Sequence, residues 1–446
     1  MNEREAAYKA LYKIFYENGL SHEVLRETLA EADKAGGEFN KAWLVRLVNG
    51  TTERWLTFAY LIEKQSGRPV KKIKPQLTVI LSMSLYQAYF MNVPERAAAN
   101  EAGKLAKKHK LAGLAGFVNG VLRGIFRSVA AKEDASEEER NVAFFKYLDR
   151  LLENEEEPQK LSVSYSVPLE LLGLMEKELG KDELKKTLEG FFAEKRLCLY
   201  RIGKNCSKEE FEDSLKRDGI SYTTLNENEL RDAYIIETAV NPTAVECFEK
   251  GWCIVQNASS ACACELLDIK GDEKAIDVCA APGGKAIHLA GRLESGTVIA
   301  CDLSDRKCRK IEENIKRTGL KNIKTMACDA TVFIKEFREA FDIVIADLPC
   351  SGLGVIASKP DIKYKTGTKD VEELSGIQKK ILANVTKYLR PGGLLSFSTC
   401  TFTGRENEEN AEYIKSLGFT ELKRRRILPD RDRDGFFVSI FKKNEQ

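Results

Sequence analysis

Apolar residues follow two different spacings along the chain. In the first part they recur every three or four positions, as in the stripes Ala7–Ala10–Leu11–Ile14 and Trp43–Leu44–Leu47–Val48, which predicts amphipathic helices. From about residue 160, short apolar runs alternate with helical patterns, and the first strand-like run is Arg196 to Arg201. We therefore predict an all-α N-terminal region followed by α/β structure.

In the C-terminal half, acidic residues follow successive strand-like runs. Residues 297–300 lead into Cys301-Asp302, residues 323–327 lead into Cys328-Asp329, and residues 341–346 lead into Asp347. Strands that alternate with helices form right-handed βαβ units and a parallel sheet, whose carboxyl ends share one edge. The pattern therefore predicts a Rossmann-like core with three acids at its ligand-binding edge.

The turn DVCAAPGGK at 277–285 joins such a strand to a helix. Its small residues allow close approach of a nucleotide-like ligand, but Cys279 and Ala286 break the phosphate P-loop pattern, and GxGxxG is absent. Asp302 lies 25 residues beyond Asp277, near the spacing of an acid that binds a ribose diol. A nicotinamide cofactor would use the same acid. S-adenosylmethionine fits better because Asp302 can hold ribose, Asp329 can meet the adenine amine, and the open turn leaves room for a methionine tail.

Two cysteines indicate the chemistry. Cys350 follows Asp347 and Pro349, and Cys400 ends the strand-like run 394–399 that follows the turn Pro391-Gly392-Gly393. Carbon 5 of a pyrimidine becomes nucleophilic when a thiolate adds to carbon 6. An acid must then bind N3, and a base must remove the carbon 5 proton. Two cysteines at strand ends beside a cofactor crevice fit this reaction.

Six motifs together resemble the RsmB/NOP family of RNA cytosine-5 methyltransferases. They are DVCAAPGGK at 277–285, ACDLS at 300–304, CDA at 328–330, ADLPCSG at 346–352, FSTC at 397–400 and DGFFVSIFKK at 434–443. The resemblance implies that Cys400 is the nucleophile, that Cys350 helps resolve the adduct, and that Asp347 faces the cytosine. It also implies S-adenosylmethionine binding by Cys279, Ala280, Ala281, Pro282, Gly283, Gly284, Lys285, Asp302, Asp329 and Asp347.

The chain departs from the family pattern at three places outside the proposed catalytic set. Gln256-Asn257 stands where the family usually has Gln-Asp, and Gly404 stands where a proline commonly follows the catalytic cysteine. An upstream Arg-Val-Asn reads Arg201-Ile202-Gly203. We expect these departures to affect the docking of RNA and to leave the reaction unchanged.

Charge is distributed unevenly along the 446 residues, although the net charge is only +2. Residues 1–130 carry 20 Lys/Arg against 12 Asp/Glu, and residues 131–190 carry 9 against 16. Residues 93–110 and 117–125 resemble the NusB-like helical domain of the bacterial rRNA enzymes, which implies RNA binding. The basic residues within 1–130 that could contact RNA phosphates are Lys71, Lys72, Lys74, Lys107, Lys108, Lys110, Arg123 and Arg127.

These features predict four regions. They are a NusB-like helical domain (1–130), an acidic, solvated linker with a short helix (131–158), a small α/β connector (159–250) and a methyltransferase core (251–446). No apolar run reaches the length of a membrane span, and the N-terminus lacks a signal-peptide pattern. All 12 cysteines lie from Cys198 onward without a CxxC motif, and there are only three histidines. We expect reduced thiols, no bound metal and a cytoplasmic location.

The function expected from the resemblance is cytosine-5 methylation of bacterial 16S rRNA, either naked or in an assembling particle. A tRNA cytosine-5 methyltransferase is an alternative with the same chemistry, although the NusB-like region favours rRNA. A catalytically silent RNA-binding assembly or antitermination factor is an alternative of a different class, and the two intact cysteines count against it.

Overall fold

The computed structural model describes residues 2–35, 38–132, 134–225, 230 and 232–445. The chain folds as two compact units. The first unit comprises Met1–Leu174 together with Lys359–Lys365, and the second comprises Met175–Ser358 and Thr366–Gln446. The four regions predicted from the sequence do not coincide with these units, because the predicted connector (159–250) crosses the boundary after Leu174, and that division stays a prediction.

The secondary-structure elements follow in chain order. The helices are α1 (Glu3–Tyr16), α2 (Ser21–Ala35), α3 (Lys41–Glu53), α4 (Trp55–Ser66), α5 (Pro75–Phe90), α6 (Glu95–Lys108), α7 (Ala115–Val129), α8 (Glu137–Leu152), α9 (Glu157–Ser164), α10 (Leu169–Phe192), α11 (Lys208–Arg217), α12 (Glu246–Glu249), α13 (Ala258–Glu265), α14 (Gly284–Arg292), α15 (Asp305–Thr318), α16 (Ile362–Lys365), α17 (Thr368–Val385) and α18 (Glu408–Ser416). The strands are β1 (Leu197–Arg201), β2 (Tyr222–Thr224), β3 (Ala233–Ile236), β4 (Cys253–Val255), β5 (Lys274–Asp277), β6 (Thr297–Asp302), β7 (Ile323–Ala327), β8 (Phe341–Asp347), β9 (Leu389–Thr399), β10 (Phe419–Ile427) and β11 (Phe436–Lys443).

Helix α5 is the core of the first unit. Every residue from Leu77 to Phe90 is buried, because α5 is apolar on all its faces and the surrounding helices cover it. Among the helices of the described residues, none combines the length and the apolar character that crossing a bilayer requires.

The acidic segment after α7 differs from the solvated linker predicted from its charge. Phe144, Leu148 and Leu152 of α8 are buried in the core of the first unit, and Arg140 donates hydrogen bonds to the carbonyls of Ala135 and Val93. Apolar residues four apart share one helix face. The glutamates therefore lie on the other faces of a packed helix, so α8 belongs to the helical core.

A short segment that is distant in sequence completes the first unit. The backbone N–H of Ser21 donates to Asp361 at 3.0 Å, the ammonium of Lys363 donates to the carbonyl of Glu53 at 2.6 Å, and the Tyr364 hydroxyl lies 2.8 Å from that of Ser166. Burial lowers the pKa of Lys363 to about 7. Nothing in the local sequence pattern indicated this segment's place among the helices.

The second unit contains two sheets within the described residues. The smaller sheet has the order β2-β3-β1-β4 with antiparallel neighbours. The larger has the order β10-β11-β9-β8-β5-β6-β7, in which the strands from β9 to β7 are parallel and β10 and β11 are antiparallel additions. The Rossmann-like core expected from the alternation of strands and helices is confirmed.

Strand β9 begins earlier than predicted. Phe341 pairs with Leu389 and Ile343 pairs with Leu394, so residues 390–393 bulge from the strand without ending it. Gly392 has φ 77°, a conformation that glycine adopts without strain. The turn residues Pro391 to Gly393 therefore form this bulge, and pairing resumes for the run that leads to Cys400.

Candidate active site

A cleft of about 270 Å³ opens at the carboxyl ends of strands β5, β8 and β9. This position follows from the parallel arrangement, which brings the loops after these strands to one edge. The residues that line it are Val255, Gln256, Asn257, Ser259, Ser260, Asp277, Cys279, Ala280, Ala281, Pro282, Gly284, Lys285, Asp347, Val355, Cys400, Asp434 and Phe436. Eight predicted site residues thus share one cleft. Within the part of the chain that the structure describes, the lining of this cleft does not include Gly283, Asp302, Asp329 or Cys350.

The DVCAAPGGK turn is held by backbone hydrogen bonds. The N–H of Ala280 donates to the carbonyl of Cys301 at 2.8 Å, and the N–H of Ala281 donates to Asp302 Oδ2 at 2.9 Å. Gly283 has φ 107°, and a Cβ there would lie 3.0 Å from a side-chain carbon of Ile311. Only glycine suits that position. Because of this compact turn, backbone rather than side chain forms much of the cleft wall.

The two acids that end or follow β6 and β7 differ in environment. Asp302 is buried and accepts N–H donations from Ala281 and Leu303, and Lys307 lies 2.9 Å from its Oδ1. Asp329 is exposed, and hydrogen bonds from the hydroxyl and the N–H of Thr331 lower its pKa. Asp302 is thus built into the turn, whereas Asp329 is held only by its own loop.

Lys285 and Asp347 form an ion pair inside the cleft. The ammonium lies 2.6 Å from Asp347 Oδ2, and the hydroxyl of Ser398 donates to Asp347 Oδ1 at 2.7 Å. Burial opposes the charge of Lys285, but the neighbouring carboxylate outweighs it and raises the pKa of Lys285 overall. Each oxygen of Asp347 therefore accepts one hydrogen bond from the protein and has a lone pair left for a ligand.

Asp277 is a buried carboxyl in the cleft wall with one unpartnered oxygen. Its Oδ1 accepts the N–H of Cys279 at 3.3 Å, but Oδ2 has no hydrogen-bond partner among the described residues. Burial raises the pKa of Asp277 to about 7, because the cost of desolvating the charged form exceeds the attraction of Lys285. A buried orphan acceptor is costly unless a proton or a cationic ligand group satisfies it.

Cys350 and Cys400 are in contact. Their sulfur atoms are 3.2 Å apart, and the N–H of Cys400 donates to Cys350 Sγ at 3.3 Å. The contact with Cys400 and burial both raise the pKa of Cys350, so its thiol keeps its proton. Cys400 lines the cleft, whereas Cys350 does not line it and contacts Cys400.

A buried glutamate that the sequence reasoning did not select holds the two cysteine loops together. Glu406 accepts hydrogen bonds from the N–H and hydroxyl of Ser351, the hydroxyl of Thr403 and the amide of Gln378, at distances from 2.5 to 3.0 Å. Ser351 follows Cys350 directly, and Thr403 lies three residues after Cys400. The only sequence signal was the Glu-Asn-Glu run at 406–408, and nothing in that run indicated a fully buried carboxylate.

The departure at Asn257 has a structural reason. Its amide donates to Asp434 Oδ2 at 3.1 Å, and its Oδ1 accepts the N–H of Asp434 at 3.2 Å. An aspartate at 257 would bring a second carboxylate to within hydrogen-bonding distance of Asp434, where like charges repel. The amide at 257 therefore suits this chain's own cleft.

Gln256 and His288 form a polar cluster beneath the cleft. His288 Nε2 lies 2.7 Å from Glu265 Oε1, and His288 Nδ1 lies 2.9 Å from the amide oxygen assigned to Gln256. Burial lowers the pKa of His288, which favours the neutral imidazole. Separately, no group of three or more His, Cys, Asp or Glu side chains within the described ranges could hold a metal ion.

Comparison with known proteins agrees with this architecture. The family model described as 16S rRNA methyltransferase RsmB/F matches residues 264–442, and the NusB family model matches residues 1–127. The chain is 30% identical over 409 residues to the "Probable ribosomal RNA small subunit methyltransferase B" of Bacillus subtilis, covering 91% of this chain and 86% of that protein. It is 28% identical to the ribosomal RNA small subunit methyltransferase B of Proteus mirabilis over 99% of both chains. The crystal structure of PH0851 has a TM-score of 0.76 at 22% identity, covering 98% of this chain and 97% of that one, and shows the same fold.

Proposed function

Because the chain belongs to the RsmB/F family of 16S rRNA methyltransferases, we propose that it methylates carbon 5 of a cytosine in 16S rRNA through a covalent adduct with Cys400. The single observation that carries this proposal is the juxtaposition of Cys400, Cys350 and Asp347 with the DVCAAPGGK turn at one cleft. A nucleophilic thiol, a second thiol and an acid are the groups that this chemistry requires.

The cleft fits S-adenosylmethionine as the methyl donor, which supplies an electrophilic methyl group on a sulfonium. Its methionine tail carries an ammonium, and the unpartnered Oδ2 of the buried Asp277 offers an acceptor for such a cation. We assign Asp302 to the ribose hydroxyls and Asp329 to the adenine amine, as expected from their positions after β6 and β7. The residues Cys279 to Lys285 would form the wall against which the donor lies.

Cys400 acts first. Its sulfur lines the cleft, and the protonated thiol of Cys350, 3.2 Å away, can donate its S–H to the Cys400 thiolate. The thiolate forms a bond to carbon 6 of cytosine, and the electron pair thus released makes carbon 5 nucleophilic toward the methyl group. Asp347, oriented by Ser398 and Lys285, takes the proton that the Cys400 thiol loses and donates it to N3 as negative charge develops there.

Cys350 acts after the methyl group has moved. Carbon 5 then carries both the new methyl group and its original hydrogen, and that proton must leave before the carbon 6–sulfur bond can break. Since Cys350 contacts the sulfur that is bonded to the base, we assign it to this step: its thiol passes its own proton to the departing sulfur of Cys400 and accepts the carbon 5 proton in its place. Glu406 keeps the two thiols in register by binding Ser351, next to Cys350, and Thr403, three residues after Cys400.

Two further assignments belong to this proposal. The first unit, which the NusB model matches over residues 1–127, supplies affinity for RNA. No disulfide joins the described cysteines, which suits a reducing compartment, and we place the enzyme in the cytoplasm.

Bisulfite sequencing of 16S rRNA from cells with and without this gene tests the function directly. We expect one cytosine to lose its protection from bisulfite conversion in the deletion strain, and to regain it when the gene is restored but not when the Cys400→Ala variant is supplied. Loss of protection in a tRNA instead would favour the tRNA alternative. Unchanged protection in all RNA, together with no transfer of a tritiated methyl group to rRNA in vitro, would favour the catalytically silent factor.

A further inference from the structure

A groove of about 1140 Å³ lies on the first unit between α6 and α7, and its lining contains no residue assigned above to catalysis. Its lining residues are Glu95, Arg96, Ala99, Asn100, Gly120, Arg123, Phe126, Arg127, Ala130 and Ala131. Arg96 is contributed by the first turn of α6, and Arg123 and Arg127 by the last turns of α7.

The three arginines carry uncompensated positive charge. All three are exposed, and within the described part of the chain no carboxylate forms an ion pair with any of them. The one acid in the groove, Glu95, accepts a hydrogen bond from the Tyr89 hydroxyl at 3.2 Å, and burial raises its pKa. Because Glu95 is engaged elsewhere and its charged form is disfavoured, the groove is positive overall.

The floor of the groove is made of small residues. A Cβ added at Gly120 would meet no atom within 4 Å, and Ala99, Ala130 and Ala131 are its other small lining residues. The space beside Gly120 lets a ligand backbone come close to α7, although Phe126 also lines the groove. Arg123 and Arg127 are four residues apart, which separates them by about 6 Å along the helix axis. Two guanidinium groups at this spacing can contact separate anionic groups of an extended ligand.

We propose that this α6–α7 groove binds the sugar–phosphate backbone of a single-stranded segment of the substrate rRNA. The inference rests on the proposed function, because an rRNA methyltransferase needs sequence-independent affinity for an extended polyanion. Arginine suits this ligand since its planar fork can donate two hydrogen bonds to one phosphate. Asn100 offers a further uncharged donor in the same groove.

The test uses the full-length protein with Arg96→Gln, Arg123→Gln and Arg127→Gln combined. The matched control combines Lys9→Gln, Arg26→Gln and Lys34→Gln, which removes the same charge from exposed positions on α1 and α2. Binding of a fluorescent 16S rRNA fragment is measured over a series of salt concentrations. Each lost phosphate contact on a single strand lowers the slope of log K against log salt by about 0.7, so the groove variant should lose about 2 from that slope.

The slope of the control variant should differ from the wild-type slope by less than about 0.7, the contribution of one phosphate contact. Equal slopes in the groove variant and the wild type would overturn the proposal, and so would equal losses in both variants. A groove that instead holds an acidic protein surface would give the first of these results. If the triple variant does not fold, as judged by circular dichroism, Arg123→Gln alone should reduce the slope by about 0.7.

Methyl transfer at saturating RNA and low salt separates this inference from the proposed function. A groove variant that binds RNA with a reduced slope but still methylates it supports both. A wild-type enzyme that shows the full slope and no methyl transfer contradicts the proposed function while the groove assignment stands. Methyl transfer by the wild type, with no change of slope in the groove variant, contradicts the groove alone.

Discussion

Polar groups are used in opposite ways at the cysteine pair and at the α6–α7 groove. Around Cys350 and Cys400, the buried carboxylate of Glu406 accepts four hydrogen bonds that fix both cysteine loops. In the groove, Arg96, Arg123 and Arg127 are exposed and form no ion pair with a described carboxylate. Bond formation requires atoms held to fractions of an ångström, whereas binding a polyanion of variable sequence requires mobile charge near water. The cleft should therefore be sensitive to single atoms, and the groove to the sum of its charges.

Replacing each cysteine by alanine should have the largest effect on methyl transfer. It tests whether the reaction depends on a single sulfur atom. Cys400→Ala should abolish methyl transfer and form no covalent complex with RNA. Cys350→Ala should still allow bond formation and methyl transfer, but should accumulate a protein–RNA adduct that survives denaturing electrophoresis, since blocking release traps what has already bonded. Cys206→Ala, in the second unit but outside the cleft, is the control. Adduct accumulation in Cys400→Ala and not in Cys350→Ala would reverse the two roles.

Removing the Glu406 carboxylate tests whether the positions of Cys350 and Cys400 depend on this buried hydrogen-bond network. Glu406→Ala leaves the Ser351, Thr403 and Gln378 donors unsatisfied, and should lower the free energy of unfolding in urea by about 3 kcal/mol. Glu406→Gln should retain more of that stability but slow methyl transfer. The exposed Glu409→Ala should change stability by no more than about 0.5 kcal/mol. A Glu406→Ala variant as stable and active as the wild type would show that the network does not position the cysteines.

Asp302, which is built into the turn that lines the cleft, offers a test of intermediate size. Asp302→Ala should weaken S-adenosylmethionine binding by roughly 1.5–3 kcal/mol, the range for hydrogen bonds to a charged group. Part of this loss would come from the turn, because Asp302 also accepts the N–H of Ala281. Isothermal titration calorimetry measures the affinity, with the exposed Asp305→Ala as the control. Unchanged affinity in a folded Asp302→Ala protein would contradict the ribose assignment.

The pH dependence of stability between pH 6 and pH 8 should show the smallest effect, and comparison with an Asp277 variant separates Asp277 from Lys363, whose pKa is also about 7. The pKa of Asp277 is raised to about 7 in the folded protein, so the folded state retains this proton to higher pH than the unfolded chain does. The stability contributed by the protonated form is therefore lost as pH rises from the ordinary pKa of 3.8 to about 7, and the last part of that loss, about 1 kcal/mol, falls between pH 6 and pH 8. Asp277→Asn should remove this component from the pH profile of urea unfolding. An identical profile in the variant and the wild type would show that Asp277 is ionised throughout.

Bound S-adenosylmethionine should reverse that pH trend if its ammonium meets Asp277. The wild-type affinity should rise with pH as the carboxyl ionises, and the Asp277→Asn variant should lose this rise. Calorimetry over the same pH range measures both proteins, and a rise that persists in the variant would assign it to another group.

Local patterns predicted the sheet and its polar edge well, and for a simple reason. The alternation of strands and helices imposes parallel order, and strand β7 begins and ends where the predicted run does, at Ile323 and Ala327. Asp302 ends β6, two residues beyond the predicted run 297–300. Asp347 ends β8, one residue beyond the predicted run 341–346. Charge alone misled at α8, where glutamates on the exposed faces concealed Phe144 and Leu148 on the buried one.

The sequence by itself determined the order of the elements, the position of the glycine-rich turn at 277–285 and the choice of the two candidate cysteines, because these depend on residue type and short-range spacing. Only the tertiary structure decided which side chains satisfy one another across long stretches of chain. Glu406 reaches Ser351 across 55 residues, Lys363 joins the helical unit 310 residues from Glu53, and Asp277 keeps one oxygen without a partner. Burial and hydrogen-bond satisfaction arise from packing between distant segments, and a one-dimensional pattern carries no record of that packing.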